Sequence, residues 1–499
     1  MIRKIASVAG IAVVALLMAG GVAWLFGLRV VLDGGGTPHL AFLLSEAARA
    51  DALARHREAQ RASAEAAAKQ ATPAPAAPGT EPGIEPSAIS PVVPAVATEG
   101  LTPARAAAAP YWTDFRGPRR DGHYADASIL TDWPSGALTP LWKQPVGGGY
   151  ASFVIARGRA FTIEQRAGEE VAAAYDVSTG RELWTNAWPA AFRELMGGDG
   201  PRATPTWADG LVYVLGATGE LRCVDEETGT VVWRTNILTD AGATNLQWGM
   251  AASPLIVDNT VVVLPGGAKG TSVVAYERRT GTRAWSALGD AQAYASPMLA
   301  TVTGVRQILV FTATRLVGLS PDRGDLLWEY PWTTQYGVNA GQPLVVGDNR
   351  VFISTGYGTG AAMVEVGGGA QGRLSVREVW RTTRMKNQFT SSVLHDGFIY
   401  GLDESILACL DAATGELKWK GGRYGYGQVL LASGHLIVLT EDGDLALVRA
   451  TPERHQEIAR FPVLDGKTWN HPAMADGILL VRNISQMAAF DLRAPRPPR

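Results

Sequence analysis

The sequence predicts an all-β fold, an eight-bladed β-propeller held together by tryptophan-docking repeats. One motif carries most of the prediction. It reads Asp411-Ala412-Ala413-Thr414-Gly415 closing on Trp419, Asp225-Glu226-Glu227-Thr228-Gly229 closing on Trp233, and Asp176-Val177-Ser178-Thr179-Gly180 closing on Trp184. In each copy an apolar run ends at Asp, Thr-Gly turns the chain, and a second short run ends at Trp. That is the pattern of two hairpin strands whose Trp packs on a neighbouring unit. Four short strands in a period of roughly 40–50 residues mark propeller blades. The 57 Gly and 15 Trp suit such a turn-rich chain with a repeated aromatic.

Composition bounds the rest. With 499 residues, 46% hydrophobic and 18% charged, the chain can bury the core of one large domain. Lys plus Arg number 45 against 47 Asp plus Glu, a net charge of −2. No basic stripe argues for nucleic acid, so no nucleic-acid partner is expected. Cys223 and Cys409 occupy equivalent places in two repeats. Equivalent places in different blades lie far apart, so both are expected as small buried hydrophobes, not a disulfide.

In chain order, residues 1–36 are expected as a transmembrane signal-anchor. Ile5–Leu28 is a run of 24 residues without a charge, after Arg3 and Lys4. As a helix it spans about 36 Å, against a hydrocarbon core of about 30 Å. Positive charge before the run predicts a single inner-membrane pass with the propeller on the periplasmic side. The run is long for a cleaved signal peptide and no small-x-small site follows it. No Cys follows it either, which excludes a lipoprotein anchor. Residues 37–70, rich in Ala, Arg and Glu with Leu40, Leu43, Leu44 and Leu53, predict a helical stalk. Residues 71–110 carry nine prolines and read as a Pro/Ala-rich disordered linker, a tether between membrane and domain reaching on the order of 100 Å. Aromatics return at Tyr111-Trp112, so residues 111–499 are the propeller.

The blades follow. Each innermost strand is marked by a small-small-Pro pattern or its relic: Ala151-Ser152-Phe153, Ala203-Thr204-Pro205, Ala252-Ser253-Pro254, Ala295-Ser296-Pro297, Gly341-Gln342-Pro343, Ser391-Ser392-Val393, Gln428-Val429-Leu430 and Asn470-His471-Pro472. Hairpin signals such as Asp209-Gly210, Asp396-Gly397 and Asp476-Gly477 come next. Outer strands end at Trp142, Trp184, Trp233, Trp285, Trp328, Trp380 and Trp419, with Phe461 in the eighth place. The last unit runs out at Asp491-Leu492, so the orphan Leu138–Trp142 strand is expected to close the ring and remove its free edges. The fifth unit is irregular, with Gly367-Gly368-Gly369 and Gln371-Gly372 in place of Thr-Gly.

The Ala-x-Asp-x-x-Thr-Gly-x-x-x-Trp repeat resembles that of the pyrroloquinoline-quinone (PQQ)-like propellers over about residues 111–493. That family holds both the eight-bladed quinoprotein alcohol dehydrogenases and the propeller lipoprotein of the outer-membrane β-barrel assembly machinery, BamB. The repeat makes contacts between blades and carries no chemistry of its own. The resemblance implies, for the dehydrogenases, adjacent cysteines over the quinone and Ca²⁺ held by Glu, Asn and Asp, with a further Asp as base. This chain has no Cys-Cys pair and no Cys-x-x-Cys-His haem motif. Only Asp199, Asp240 and Asp290 lie shortly before innermost strands. No catalytic residue, no metal and no cofactor is therefore expected, PQQ and Ca²⁺ included.

Residues just before the innermost strands of a propeller line one channel mouth. Here the ligand candidates are Tyr150, Arg202, Trp248, Tyr294, Asn339, Lys386, Gln388, Tyr426, Trp469 and Asn470. Their aromatics suit a flat ligand and their cations an anionic one. His471 is expected as a hydrogen-bonded structural residue. The favoured reading is a membrane-anchored cell-envelope scaffold that binds envelope proteins through propeller loops and touches the membrane through its N-terminal helix. The alternatives are a PQQ-dependent dehydrogenase and a small-molecule binding or sensing propeller.

Overall fold

The computed structural model describes residues 27–42, 44–70, 111–134, 136–368 and 373–494. Eight four-stranded antiparallel sheets follow one another along the chain. Blades 1 to 6 run from Val154–Ala156 to Leu417–Arg423, each contributed by consecutive strands. Blade 7 comprises Gln428–Ala432, His435–Leu439, Asp444–Arg449 and Glu457–Pro462. Blade 8 has only three strands from the C-terminal end, Ala473–Ala475, Ile478–Arg482 and Gln486–Asp491. Its outermost strand is Trp142–Pro145, which pairs antiparallel with Gln486–Asp491. The ring is closed as expected, but the closing strand begins at Trp142, where the sequence pattern had placed its end.

The local chemistry matches the motif. In blade 2 Asp225 Oδ1 accepts the Thr228 N–H at 2.9 Å and the Glu227 N–H at 3.0 Å, and Gly229 turns with φ 70°. Asp411 does the same for Ala413 and Thr414 at 2.8 and 3.0 Å. Each turn is then covered by a Trp of the preceding blade. Trp142 donates to the Val177 carbonyl at 2.8 Å, Trp184 to Glu226 at 2.9 Å, and Trp233 to Arg278 at 2.8 Å. Trp380 reaches Ala412 at 3.1 Å and Trp419 reaches Thr451 at 2.8 Å. Trp285 packs on Gly324.

Two docking positions differ from expectation. Trp328 donates to Gln307 Oε1 of its own blade at 2.5 Å, because blade 5 has no Thr-Gly turn to receive it. In blade 7 the position paired like Trp233 with Cys223 is Ala459, opposite Leu447, and Phe461 lies two residues later. Trp133, from the segment before the ring, fills that place: its ring lies 5.5 Å from Phe461 and it is buried. Cys223 and Cys409 are free and buried in register with Trp233 and Trp419, and burial pushes both thiols up to about 12.

The small-small-Pro pattern turns out to be a belt around the axis. Ser152 N–H donates to Thr204 Oγ1 at 2.9 Å, Thr204 N–H to Ser253 Oγ at 3.0 Å, and Ser253 N–H to Ser296 Oγ at 2.9 Å. Gln342 N–H donates to Ser391 Oγ at 3.0 Å, and Ser152 Oγ closes on the His471 carbonyl at 2.5 Å. Hydroxyls of small side chains fit where eight strands converge, and each one satisfies a backbone group that burial would otherwise strand.

Below the belt, where the innermost strands end, residues 111–124 plug the channel, and 125–134 run outward past Arg493 and Leu492 to Trp133. Trp112 bridges Ile155 of blade 1, Thr113 accepts the Trp207 N–H of blade 2 at 2.9 Å, and His123–Tyr124 adds a parallel strand to blade 7. Arg120 is fully buried; it pairs with Asp114 at 3.0 Å and donates to the Ser253 and Pro297 carbonyls at 3.2 and 2.9 Å. Arg116 donates to Ser392 of blade 6 at 2.6 Å, and burial lowers its pKa to about 10. His471 sits under Phe115, with ring centroids 5.8 Å apart. Burial, with Arg116 nearby, pushes its pKa down to about 3, so it is neutral and structural.

The expected membrane helix lies outside the described residues except at its end, where Leu28 opens a strand. Among the described residues no helix is long and apolar enough to cross a membrane. The linker 71–110 lies outside them too. The stalk is corrected by the structure: Leu28–Leu32 and Pro38–Phe42 form a hairpin, and the helix, α1, spans Glu46–Gln70. Alternating side chains around Pro38 favour strand there. Nor is α1 a solvated stalk. It lies along the seam between blades 8 and 1, where Leu53 is buried. Arg57 pairs with Glu182 at 3.3 Å and Gln60 donates to Gln144 at 2.8 Å.

Candidate functional site

The upper mouth, where the innermost strands begin, is built from the loops that join one blade to the next. Aromatic rings crowd there in two groups. Tyr150 lies 5.2 Å from Trp469, which lies 4.4 Å from Phe389, which in turn lies 5.5 Å from Tyr426. Trp248 and Tyr294 form the second group, 5.5 Å apart. Arg202 stands beside the first group: its guanidinium lies 5.6 Å from the Tyr150 ring and 4.6 Å from Phe192. It also donates to the Gly200 and Gly198 carbonyls. Burial lowers its pKa from the usual arginine value and raises that of the Tyr150 phenol.

Other candidates are not presented to the channel. Asn339 is buried, donates to the Thr312 carbonyl at 2.7 Å and accepts from Thr355 Oγ1 at 2.7 Å. Asn470 is buried and donates to the Gly149 and Ala151 carbonyls at 3.1 and 2.9 Å. Both fix loops around the belt. Lys386 is paired with Asp403 at 3.5 Å and Glu404 at 3.2 Å. The acidic residues near the mouth are engaged as well. Asp290 is held by Arg315 at 2.6 Å, Asp240 by Arg283 and by Tyr276 at 2.6 Å, and Asp199 accepts the Glu194 N–H at 3.2 Å. Among the described residues no three His, Cys, Asp or Glu side chains converge as metal ligands.

The remaining candidates meet an occupant the sequence did not foretell. The tip of the N-terminal hairpin, Asp33 to Thr37, enters the mouth. Gly34 N–H donates to Glu441 Oε1 at 2.6 Å, and Gln388 Nε2 donates to the Gly34 carbonyl at 2.7 Å. A Cβ on Gly34 would collide with the Tyr426 ring, so glycine is required for the approach. Glu441 is the hub: Oε1 also accepts Trp469 Nε1 at 2.9 Å, and Oε2 accepts the Tyr426 N–H at 3.1 Å.

Lys467 completes the mouth. Its Nζ lies 3.5 Å from the centre of the Trp469 ring, and burial lowers its pKa to about 8. Lys467, Glu441, Phe389 and Phe192 were missed by counting residues immediately before innermost strands. Lys467 stands only two residues before Trp469 and could have been found by widening that window. Glu441 lies between the second and third strands of blade 7, a turn the counting did not cover.

The family described as outer membrane protein assembly factor BamB matches residues 167–421. The chain is similar to outer membrane protein assembly factor BamB of Bordetella pertussis, 22% identical over 316 residues, 60% of this chain and 72% of that one. Among solved structures it resembles BamB from Moraxella catarrhalis, with TM-score 0.52 and 15% identity, covering 73% of this chain and 100% of the other. It also resembles a europium-containing methanol dehydrogenase, with TM-score 0.60 and 12% identity, covering 77% and 99%. At such identities the two structures speak for the fold alone.

Proposed function

This chain belongs to the PQQ-like propeller family of outer membrane protein assembly factor BamB, and from that premise we propose that it is a membrane-anchored, non-enzymatic scaffold of the cell envelope. Its partners are envelope proteins bound through the propeller loops. The observation that carries this reading is the state of the upper mouth. Its hub carboxylate, Glu441, already accepts three protein donors, one of them from the hairpin tip. A quinone held by Ca²⁺ needs about 6–8 oxygen ligands around the ion, several of them carboxylates. Here Asp199, Asp290 and Glu441 belong to three different loops or turns and Asp240 to the short helix Ile237–Ala241, and each is bound to separate donors. That donor set does not suit the cofactor, and the reading needs none. The anchor is the uncharged run Ile5–Leu28, with the propeller on the periplasmic side.

Two measurements test the proposal together. Full-length protein mixed with PQQ and Ca²⁺ is expected to give no quinone absorbance shift and no dye-linked alcohol oxidation. Photo-crosslinkers placed on the propeller loops in intact cells are expected to trap defined envelope proteins. Stoichiometric quinone binding with turnover would overturn the scaffold reading in favour of a dehydrogenase. The aromatic groups around Arg202 and Lys467 support one second reading, a small-molecule binding module. It requires an anionic or flat ligand that displaces the Gly34 tip, and it would be favoured by such a molecule co-purifying.

A further inference from the structure

The hairpin that enters the mouth has two chemically different faces. Its register pairs Leu28 with Phe42, Val30 with Leu40 and Leu32 with Pro38, so these six side chains share one face. Arg29, Val31, His39 and Ala41 share the other. On the apolar face Val30 is 59% exposed, Leu40 67% and Phe42 74%. A hairpin this short is marginal in water by itself, and exposing such a face makes it more so. Something covers that face in the working molecule.

Three observations say what. The uncharged run Ile5–Leu28 ends on the first residue of the hairpin, so whatever surface that run enters lies next to this face. Second, the other exposed apolar residues gather on the same side of the ring. Leu44 follows the hairpin, and Leu195, Met196 and Tyr336 stand on loops of the upper mouth, with Leu195 93% exposed. Among the described residues only Leu141, Val232 and Ile458 are large, apolar and exposed elsewhere, and they lie at the outermost strands. Third, α1 is pinned to the seam of the ring, so the chain between membrane and propeller is the hairpin and not the residues 71–110.

We infer that the upper face of the propeller rests on a lipid bilayer, with the apolar face of the hairpin and the Leu195, Met196 and Tyr336 loops inserted at the headgroup boundary. The inference rests on the anchored reading above and deepens it. Five-residue strands span about 17 Å, so a link this short keeps the mouth at the membrane, no farther off than that reach. A tether of on the order of 100 Å would leave it free. The lower face and rim are then left for protein partners. Apolar side chains on a flat face bind the interface in proportion to the area they bury there.

The test uses the full-length protein in phosphatidylethanolamine–phosphatidylglycerol vesicles, labelled at single introduced cysteines with an environment-sensitive fluorophore. The native Cys223 and Cys409 are buried and do not compete for label. Probes at V30C, L40C, F42C and L195C are expected to shift to the blue and to be quenched at least twofold by brominated acyl chains. Probes at H39C, on the opposite face, and at V232C, on the rim, are expected to be unaffected. Equal quenching at all six positions, or none at the first four, overturns the inference. So does a blue shift without lipid quenching, which would point to a second copy or a protein partner on the face. Carbonate extraction of the same vesicles reads the anchor separately. Release of the chain by carbonate would sink the anchored reading while leaving the quenching result to decide the face.

Discussion

If the tryptophans hold neighbouring sheets together by seating on the next turn, the Trp233–Gly281 contact must behave as a coupled pair. Trp233 is 8% exposed, packs against Tyr213 with ring centroids 6.2 Å apart, and donates to the Arg278 carbonyl. A buried Trp removes about 150–250 Å² from water, worth about 4–6 kcal/mol at about 25 cal/mol/Å². Partial collapse of the site brings the expected cost of Trp233→Ala to about 4 kcal/mol. Gly281 turns with φ 73°, and a Cβ there would stand 2.7 Å from Trp233 Cδ2. Gly281→Ala therefore carries about 1 kcal/mol of backbone strain and about 2 kcal/mol of displacement of the indole. In the Trp233→Ala background the second part vanishes. Urea unfolding followed by far-ultraviolet circular dichroism reads all four corners of the cycle. The account expects Gly281→Ala to cost about 3 kcal/mol in the wild type and about 1 kcal/mol without the indole. Equal costs in both backgrounds would refute the docking argument.

Three further outcomes are expected. Glu170 is buried against Ala217 N–H and Trp188 Nε1, and burial raises its pKa from 4.5 to about 7. The native state binds its proton more tightly, so its contribution is fully present below pH 4.5 and is lost as pH rises through 7. The stability difference between wild type and Glu170→Gln should change by about 3 kcal/mol between pH 4.5 and 8, measured by urea titration at each pH. Arg120→Ala leaves Asp114 and the Ser253 and Pro297 carbonyls without their donor in the plug. It should cost about 3–5 kcal/mol and expose residues 111–134 to protease. Leu53→Asp should free α1 from the seam, making Glu46–Gln70 a cleavage site at least about tenfold faster while the ring melts within about 1 kcal/mol of wild type.

Much of the ring was legible because a propeller repeats its chemistry. Asp225, Thr228 and Gly229 form one hydrogen-bonded turn, and Trp233 follows at a fixed spacing within the same nine residues, so spacing alone reveals the motif. The docking of Trp328 was not legible, since it depends on what the following blade lacks. Ala459 was hidden because it is not aromatic: the same register shift stands beside Trp233 and Trp419, but here the nearest aromatic is Phe461, two residues later. The belt of Ser152, Thr204 and Ser253 was seen as a strand marker, but its role appears only when eight strands converge on one axis. The least legible part was the mouth. Gly34 and Glu441 lie 407 residues apart, and no local pattern joins a glycine turn to a distant carboxylate. The candidate list caught the aromatics and Arg202 because they flank innermost strands. It could not separate Asn339 and Asn470, whose amides are turned back to satisfy backbone carbonyls.

The most direct measurement is hydrogen exchange at the hairpin tip of the full-length protein in bilayers, compared with the Glu441→Ala variant. With the tip seated, the Gly34 amide is bonded to a buried carboxylate and should exchange orders of magnitude more slowly than a free peptide, then speed up sharply when Glu441 is removed. Exchange of Asp33 to Thr37 at the free-peptide rate in the wild type would mean the mouth is open, and the account of a propeller capped by its own N-terminal arm would be wrong.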